Sequence, residues 1–379
     1  MNPRLEAVIA AARQSDEELA RVLAGQSVPL VDGDHVTFLY FGEAEAVHLR
    51  HWIFGLPGTL SFSRVEGEPI WYCQLELPSH SRVEYKLEVI RGGHGEWILD
   101  PLNPHRAHDP FGANSVCFGP GYERPKWTEH NPASREGSLD MVTVESAALG
   151  DVRHIPVYLP ARFRRSRRHP LLVVHDGSDY VNYSGLKIVL DNLIDALEIP
   201  AMVVALSDPR DRLREYANDA RHADHIVTEL LPALEKKYPL LGRPTSRCLM
   251  GASFGAVATL STAWRHPGVF GCLLLQSGSF AFTDIGTDHP RSSAFDPVVE
   301  FVNAFRKEPG RPAERVFMSC GMYESLIYEN RSMLPVLQKT GMAVRYREAR
   351  DGHNWENWRD RLREGLSWLM PGPLWMTYE

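Results

Sequence analysis

Residues Cys248–Ala256 read CLMGASFGA, in which an apolar run leads into a Gly-x-Ser-x-Gly pattern. The residues that follow, up to Ala263, are mostly small and apolar, and they predict a helix. Because glycine has no Cβ, the two glycines permit a tight, strained turn between a strand and a helix, and the serine hydroxyl then stands exposed. We therefore predict Ser253 as a nucleophile. The alternative is a glycine-containing turn without chemistry, so the prediction depends on whether the chain supplies a base, an acid and oxyanion donors.

The composition excludes several classes of function. Hydrophobic residues make up 44% of the 379 residues, which is ordinary for a globular protein, and the length favours two domains or one domain with an extension. The net charge of −7 argues against a nucleic-acid partner. We expect no membrane partner, since no window reaches the roughly 18 uncharged apolar residues of a membrane helix. Arg4, Glu6 and Arg13 interrupt the apolar residues too early for a signal peptide, and we expect a cytoplasmic protein.

The first third of the chain predicts two helices followed by a β-sandwich. Residues Ser15–Glu18 read SDEE, which is typical of the start of a helix. From about Val36 to Cys117 the apolar period is two, and turn residues separate the runs at roughly ten-residue spacing, as in a sandwich. The predicted strands are Val36–Phe41, Val47–Trp52, Ile70–Leu77 and Val83–Val89. Trp71, Tyr72 and Trp97 are interpreted as sandwich core rather than as a platform for sugars.

A boundary follows the sandwich. Pro120–Trp127 and Pro132–Gly137 are rich in proline, glycine and charge and have no periodicity. We therefore predict an N-terminal accessory domain at 1–135 and a catalytic domain at 136–379. Beyond the boundary, strands alternate with helical patterns, which indicates a mainly parallel sheet covered on both faces. The strand candidates are Met141–Val144, Ile155–Leu159, Leu171–Val174, Met202–Leu206, Cys248–Met250, Cys272–Leu275, Val316–Ser319 and Val344–Arg347.

This second domain offers an acid and a base in the chain order of an α/β hydrolase, which is serine, then acid, then histidine. Glu324 comes just after one strand candidate, and His353 lies in a loop after the next. A serine hydroxyl needs an adjacent base to take its proton, and a histidine serves because its pKa lies near the working pH. A carboxylate holds the imidazole tautomer and stabilises the imidazolium. Asp351 and Glu329 are alternative acids, and a Ser–His pair alone is a further possibility.

Oxyanion donors complete the predicted α/β-hydrolase site. One is the backbone N–H of Phe254, which follows the nucleophile, and another comes from the loop after the third strand of the sheet. That loop is His175–Ser178, with sequence HDGS, so Gly177 or Ser178 is the second donor. Losing one such donor typically costs about 2.7–4 kcal/mol of barrier.

The motifs together resemble the enterochelin esterases of the esterase D superfamily. The resemblance rests on the HDG and GASFGA segments, on GHNW at 352–355, on DPRDR at 208–212 and on QSGSF at 276–280. It extends to the WY strand and the DPLNP loop of the first domain, which resemble the family's immunoglobulin-like accessory domain. The resemblance implies hydrolysis of the esters of a catecholate siderophore, ferric or iron-free, with any iron carried by the ligand. It also implies Arg212 as a substrate contact.

Other readings remain open at this point. A feruloyl or acetyl esterase acting on polysaccharide esters has a related sequence, and a binding protein of the same fold without turnover belongs to a different class. We expect no cofactor. His222 and His225 have metal-capable spacing but are interpreted as a surface pair, and His105–Asp109 as a solvated loop. The cysteines form no Cys-x-x-Cys pair, and buried free thiols are expected at Cys73, Cys117, Cys248, Cys272 and Cys320.

Overall fold

The computed structural model describes residues 3–282 and 293–373. The chain divides into two compact units. The first consists of Met1–Arg124 together with two short segments from the second half of the chain, Met322–Glu324 and Ala349–Asn354. The second consists of the remaining residues from Pro125 onward.

The first unit is a β-sandwich with two helices before it. The helices are α1 (Pro3–Ala12) and α2 (Asp16–Ala24). The strands are β1 (Leu30–Asp32), β2 (His35–Phe41), β3 (Ala46–His51), β4 (Thr59–Ser61), β5 (Ser63–Arg64), β6 (Ile70–Glu76), β7 (Arg82–Arg91), β8 (His94–Ile98), β9 (Arg106–Asp109) and β10 (Gly112–Phe118). One described sheet has the order β1-β2-β6-β5, and the other has the order β4-β3-β7-β10-β9, with β8 paired to β7. The four strands predicted for this region are confirmed.

The alternating pattern of the sandwich strands explains their packing. In β3 the odd-numbered positions Val47 and Leu49 are buried, as are Tyr85 and Leu87 on β7. These side chains share one apolar cluster with residues of the other sheet, among them Phe38. Side chains that alternate across a strand place every second residue in the core. At the start of α2, the Ser15 side chain accepts a hydrogen bond from the Glu18 N–H at 3.2 Å, as the SDEE pattern predicts.

The second unit is an α/β sheet. Its strands are β11 (Ser138–Ser146), β12 (Asp151–Leu159), β13 (Leu171–His175), β14 (Val203–Ser207), β15 (Arg247–Ala252), β16 (Cys272–Gln276), β17 (Arg315–Gly321) and β18 (Ala343–Ala349). In the described residues the sheet order is β11-β12-β14-β13-β15-β16-β17-β18. Strands β11 and β12 are antiparallel, whereas β14, β13, β15, β16 and β17 pair in parallel. Each strand candidate of this region is confirmed.

Helices connect the parallel strands. They are α3 (Gly177–Tyr183), α4 (Leu186–Asp195), α5 (Arg212–Tyr216), α6 (Ala220–Asp224), a π-helical segment (His225–Leu230), α7 (Leu231–Lys237), α8 (Phe254–Arg265), α9 (Asp296–Lys307), α10 (Ile327–Gln338) and α11 (Trp355–Leu369). On β13, Leu171 and Val173 pack in one apolar cluster, while Leu172 and Val174 pack in another. A strand covered on both faces must be apolar throughout, which explains its continuous hydrophobic run.

Three interpretations of polar or aromatic residues are wrong. His222 and His225 are buried rather than a surface pair, at 3% and 2% exposure. Residues Arg106–Asp109 form strand β9, paired to β10, rather than a solvated loop. Trp71 is buried as predicted, but Trp97 is 50% exposed, with the Arg50 guanidinium 5.0 Å from its ring centroid. The errors on the histidine pair and on Trp97 have the same cause, since the residue type alone does not say which face of an element is covered.

Candidate active site

Ser253 lies in a strained turn between β15 and α8. Its backbone has φ 58° and ψ −123°, in the positive-φ region that a residue with a Cβ rarely adopts. Close approach requires glycine at position 251, because a Cβ there would lie 2.3 Å from the carbonyl oxygen of Gly255. The Ser253 N–H donates to the Gln276 carbonyl at 2.9 Å, which ties the turn to β16. This is the strand–turn–helix geometry that the sequence predicts for a nucleophilic serine.

The two predicted oxyanion donors are both first residues of helices. Phe254 begins α8 after β15, and Gly177 begins α3 after β13. The N–H groups at the start of a helix have no partner within that helix and carry partial positive charge. Strands β13 and β15 are parallel neighbours, so their carboxyl ends lie side by side. The two N–H groups therefore lie at the same sheet edge as Ser253.

Arg212 has a carboxylate partner. Its guanidinium binds Asp176 through Nε at 3.0 Å and through Nη2 at 2.8 Å. Asp176 is 3% exposed, whereas the Arg212 side chain is 36% exposed. Burial raises the pKa of Asp176 above its ordinary value, although the positive charge of Arg212 opposes the shift. The ion pair fixes Arg212 beside the loop that carries Gly177, and part of the Arg212 side chain remains exposed.

A network of buried polar side chains lies next to this loop, and the sequence analysis did not predict it. His175 Nε2 and His222 Nε2 are 3.0 Å apart, and His222 Nδ1 lies 3.7 Å from Glu215. Glu215 in turn receives two hydrogen bonds from Arg153, at 2.9 and 3.1 Å. Burial, together with the nearby His222, lowers the pKa of His175 well below its ordinary value, so this imidazole is neutral at pH 7. No sequence pattern predicts this network, because its four side chains lie on four different helices and strands.

Ser279 is another residue that sequence reasoning did not single out. Its hydroxyl lies 3.2 Å from the Ser253 hydroxyl, and its N–H donates to the Ser253 carbonyl at 3.3 Å. Ser279 is 2% exposed. The segment QSGSF that contains it therefore contacts the predicted nucleophile directly.

Glu324 and His353 are in contact within the first unit. The Nδ1–H of His353 donates to the Glu324 carboxylate, which is buried, while the imidazole is 36% exposed. A carboxylate on Nδ1 leaves Nε2 as the basic nitrogen. Asp351, the alternative acid, is instead paired with Arg82 at 3.2 Å, and burial raises its pKa to about 6 despite that arginine. Glu329, the other alternative acid, lies in the first turn of α10 and is buried.

Residues 3–282 and 293–373 contain no group of three or more His, Cys, Asp or Glu side chains arranged to hold a metal ion. None of the helices formed by these residues has the length and apolar character needed to cross a membrane. The five cysteines are buried free thiols.

Comparisons with known proteins agree with this architecture. The iron(III) enterobactin esterase of Dickeya dadantii (strain 3937) is 24% identical over 347 residues, covering 82% of this chain and 79% of that protein. The enzyme of the same description from Escherichia coli (strain K12) is 26% identical over 338 residues, covering 81% and 80%. The crystal structure of the enterobactin esterase from Shigella flexneri in the presence of enterobactin superposes with a TM-score of 0.72 at 22% identity, covering 91% of this chain and 94% of that chain.

These matches confirm an α/β-hydrolase domain preceded by a smaller β-sandwich domain, and they confirm the resemblance to enterochelin esterases. A ferulic acid esterase structure aligns with only 63% of this chain, at a TM-score of 0.54. The profile of the putative esterase family matches residues 146–369, which is more than half of the chain. The chain therefore belongs to the putative esterase family.

Proposed function

We propose that this protein is a serine esterase that hydrolyses the ester bonds of a catecholate siderophore through an acyl-enzyme. The observation that carries the proposal is the backbone of Ser253, which has φ 58°. Ser253 lies at the sheet edge where two helices, α8 and α3, begin after the adjacent parallel strands β15 and β13. Such strain persists at functional sites because it presents the nucleophile to substrate. We assign catalysis to the segment 136–379.

The residues of the candidate site have distinct roles in the proposed reaction. The Ser253 hydroxyl attacks the ester carbonyl while His353 takes its proton, and the N–H groups of Phe254 and Gly177 stabilise the oxyanion. The imidazolium then gives the proton to the leaving alcohol, and an acyl-enzyme remains. Water, deprotonated by the same histidine, attacks the acyl group and releases the acid. Glu324 holds the imidazole tautomer throughout.

The substrate class rests on the relatives and on one charged group. Proteins described as iron(III) enterobactin esterases align with about four-fifths of this chain. The Arg212 side chain is partly exposed and is paired with Asp176 in the loop that carries Gly177, and a cation there favours an anionic catecholate. A ferric siderophore is the proposed ligand, and its iron belongs to the substrate. We also propose a cytoplasmic location, in keeping with the resemblance.

The proposal is tested in two stages. Hydrolysis of a generic aryl ester is measured for the wild type and for Ser253→Ala, with folding checked by circular dichroism. Activity in the wild type and its loss in the variant are expected, whereas equal inactivity of the two would leave only a binding protein. The ratio of kcat/KM for ferric enterobactin, iron-free enterobactin and methyl ferulate then identifies the substrate class. A preference for methyl ferulate would replace the siderophore proposal with a feruloyl esterase.

A further inference from the structure

The loop that carries His353 is held at three points by one sandwich residue, Arg82. The Arg82 N–H donates to the Arg350 carbonyl at 2.9 Å. Its Nη1 donates to Asp351 at 3.2 Å and to Asn354 at 3.0 Å. These contacts lie on both sides of His353 in the chain. The Arg82 side chain is fully buried, and its Nη2 donates to Glu84, so the guanidinium has a fixed orientation.

A second set of contacts holds the segment that carries Glu324. The Tyr323 hydroxyl and the Ser81 hydroxyl are 2.6 Å apart. The Tyr323 carbonyl accepts a hydrogen bond from the Phe54 N–H at 2.7 Å. Ser81 directly precedes β7, so two consecutive residues of the sandwich, 81 and 82, contact the acid segment and the histidine loop respectively.

The two segments are also joined to each other. The Met322 N–H donates to the Ala349 carbonyl at 2.7 Å, and the Tyr323 N–H donates to the Asp351 carbonyl at 3.0 Å. These backbone bonds place Glu324 and His353 on one small assembly within the sandwich unit.

We propose that Arg82, assisted by Ser81, is a positioning residue that fixes the Glu324–His353 hydrogen bond through Asp351, Asn354 and the Tyr323 segment. The sandwich domain thus has a role in the acid–base pair itself. The expected loss of kcat on changing Arg82 rests on the proposed esterase function, whereas the expected change in the Glu324–His353 hydrogen bond does not. No substrate contact is assigned to Arg82, since its side chain is fully buried.

Lysine at position 82 is the informative change. It keeps the positive charge but has a single nitrogen, so it cannot contact Asp351 and Asn354 as Nη1 does and Glu84 as Nη2 does at the same time. A matched control is Arg50→Lys on the neighbouring strand β3, where the guanidinium pairs with Glu88 at 2.6 Å. Both variants are compared with the wild type by thermal unfolding. The NMR and kinetic measurements are then made at a temperature far under the lower Tm.

The first measurement is independent of activity. In protein labelled with ¹⁵N-histidine, the Nδ1–H of His353 is identified as the downfield proton signal that His353→Gln removes. We expect Arg82→Lys to weaken this signal or to move it toward that of a solvent-exposed imidazole, in the same direction as Glu324→Gln, while Arg50→Lys leaves it unchanged. An unaltered signal in folded Arg82→Lys would overturn the positioning role.

The second measurement is a double-mutant cycle on an aryl ester. Arg82→Lys is expected to lower kcat by about 10²-fold with little change in KM, the effect of a roughly 1 Å misplacement. Combined with Glu324→Gln it should add almost nothing, because both changes act through one hydrogen bond. Multiplicative losses would show a general structural effect instead and refute the proposal.

A further variant covers the case in which Arg82→Lys does not fold. Tyr323→Phe removes only the hydroxyl that contacts Ser81 and should move the same proton signal by a smaller amount. No change in that signal would contradict the assisting role of Ser81. If the wild type shows no Ser253-dependent hydrolysis, the esterase function fails, and the proton signal still decides the role of Arg82.

Discussion

Replacing Gly177 by alanine tests whether this residue supplies an oxyanion donor. An ideal Cβ on Gly177 would lie 2.4 Å from Leu206 Cα and 2.5 Å from Leu206 Cβ. Ordinary contact begins near 3.4 Å, so the start of α3 must retreat from β14 by about 1 Å. A displacement of this size removes the donor from hydrogen-bonding range of the oxyanion. The expected loss in kcat is about 10²–10³-fold, or roughly 2.7–4 kcal/mol.

The same change also has a cost in stability. Overpacking of a close contact costs about 1–3 kcal/mol, which corresponds to a Tm decrease of about 1–4 °C in a protein of 379 residues. The matched control is Gly58→Ala, where an added Cβ meets nothing within 4 Å. The assay is kcat and KM on an aryl ester at 20 °C below the lower Tm. A kcat within twofold of the wild type would refute Gly177 as a donor, whatever the Tm.

Three further predictions concern single side chains. Glu324→Gln should lower kcat by about 10⁴-fold on an aryl ester without changing the Tm, because the imidazole loses its tautomer control; a loss below tenfold would favour a Ser–His pair alone. Ser279→Ala should change kcat/KM less than tenfold, since its hydroxyl contacts Ser253 only in the resting geometry, and a loss above 10³-fold would make it a catalytic group. Burial alone would raise the pKa of Glu215, but its contacts with His222 and Arg153 bring the pKa below its ordinary value overall. This ionised carboxylate therefore stabilises the protein above about pH 4.5, and the stability is lost as the pH falls toward the lowered pKa. The Tm difference between wild type and Glu215→Gln should shrink from pH 7 to pH 3, and a constant difference would contradict the assignment.

Much of the candidate site could be predicted because its signals are local. The turn at Ser253 needs a glycine at position 251, and the start of α3 needs a glycine at position 177, two residues after β13. These requirements are steric and appear in adjacent positions. Similarly, Glu324 and His353 each follow a strand at its carboxyl end, and the chain order of an α/β hydrolase then assigns them roles.

The partners of the charged groups could not be predicted. Arg212 was expected to meet a ligand by family resemblance, but its bidentate partner Asp176 lies 36 residues away. Asp351 is an alternative acid by its position in the sequence, and its partner Arg82 lies 269 residues earlier in the chain. No local periodicity encodes such pairs, because they depend on how distant segments meet.

The amino-acid order alone therefore determines the strands, the helices, the strained turn at Ser253 and the chain order of the candidate catalytic groups, since each depends on steric and hydrophobic patterns within a few residues. Tertiary structure assigns Met322–Glu324 and Ala349–Asn354 to the same compact unit as the sandwich. It also shows that His222 is buried and that Trp97 is half exposed. Burial and ion pairing are properties of surfaces brought together by folding, and neighbours far apart in the chain decide them.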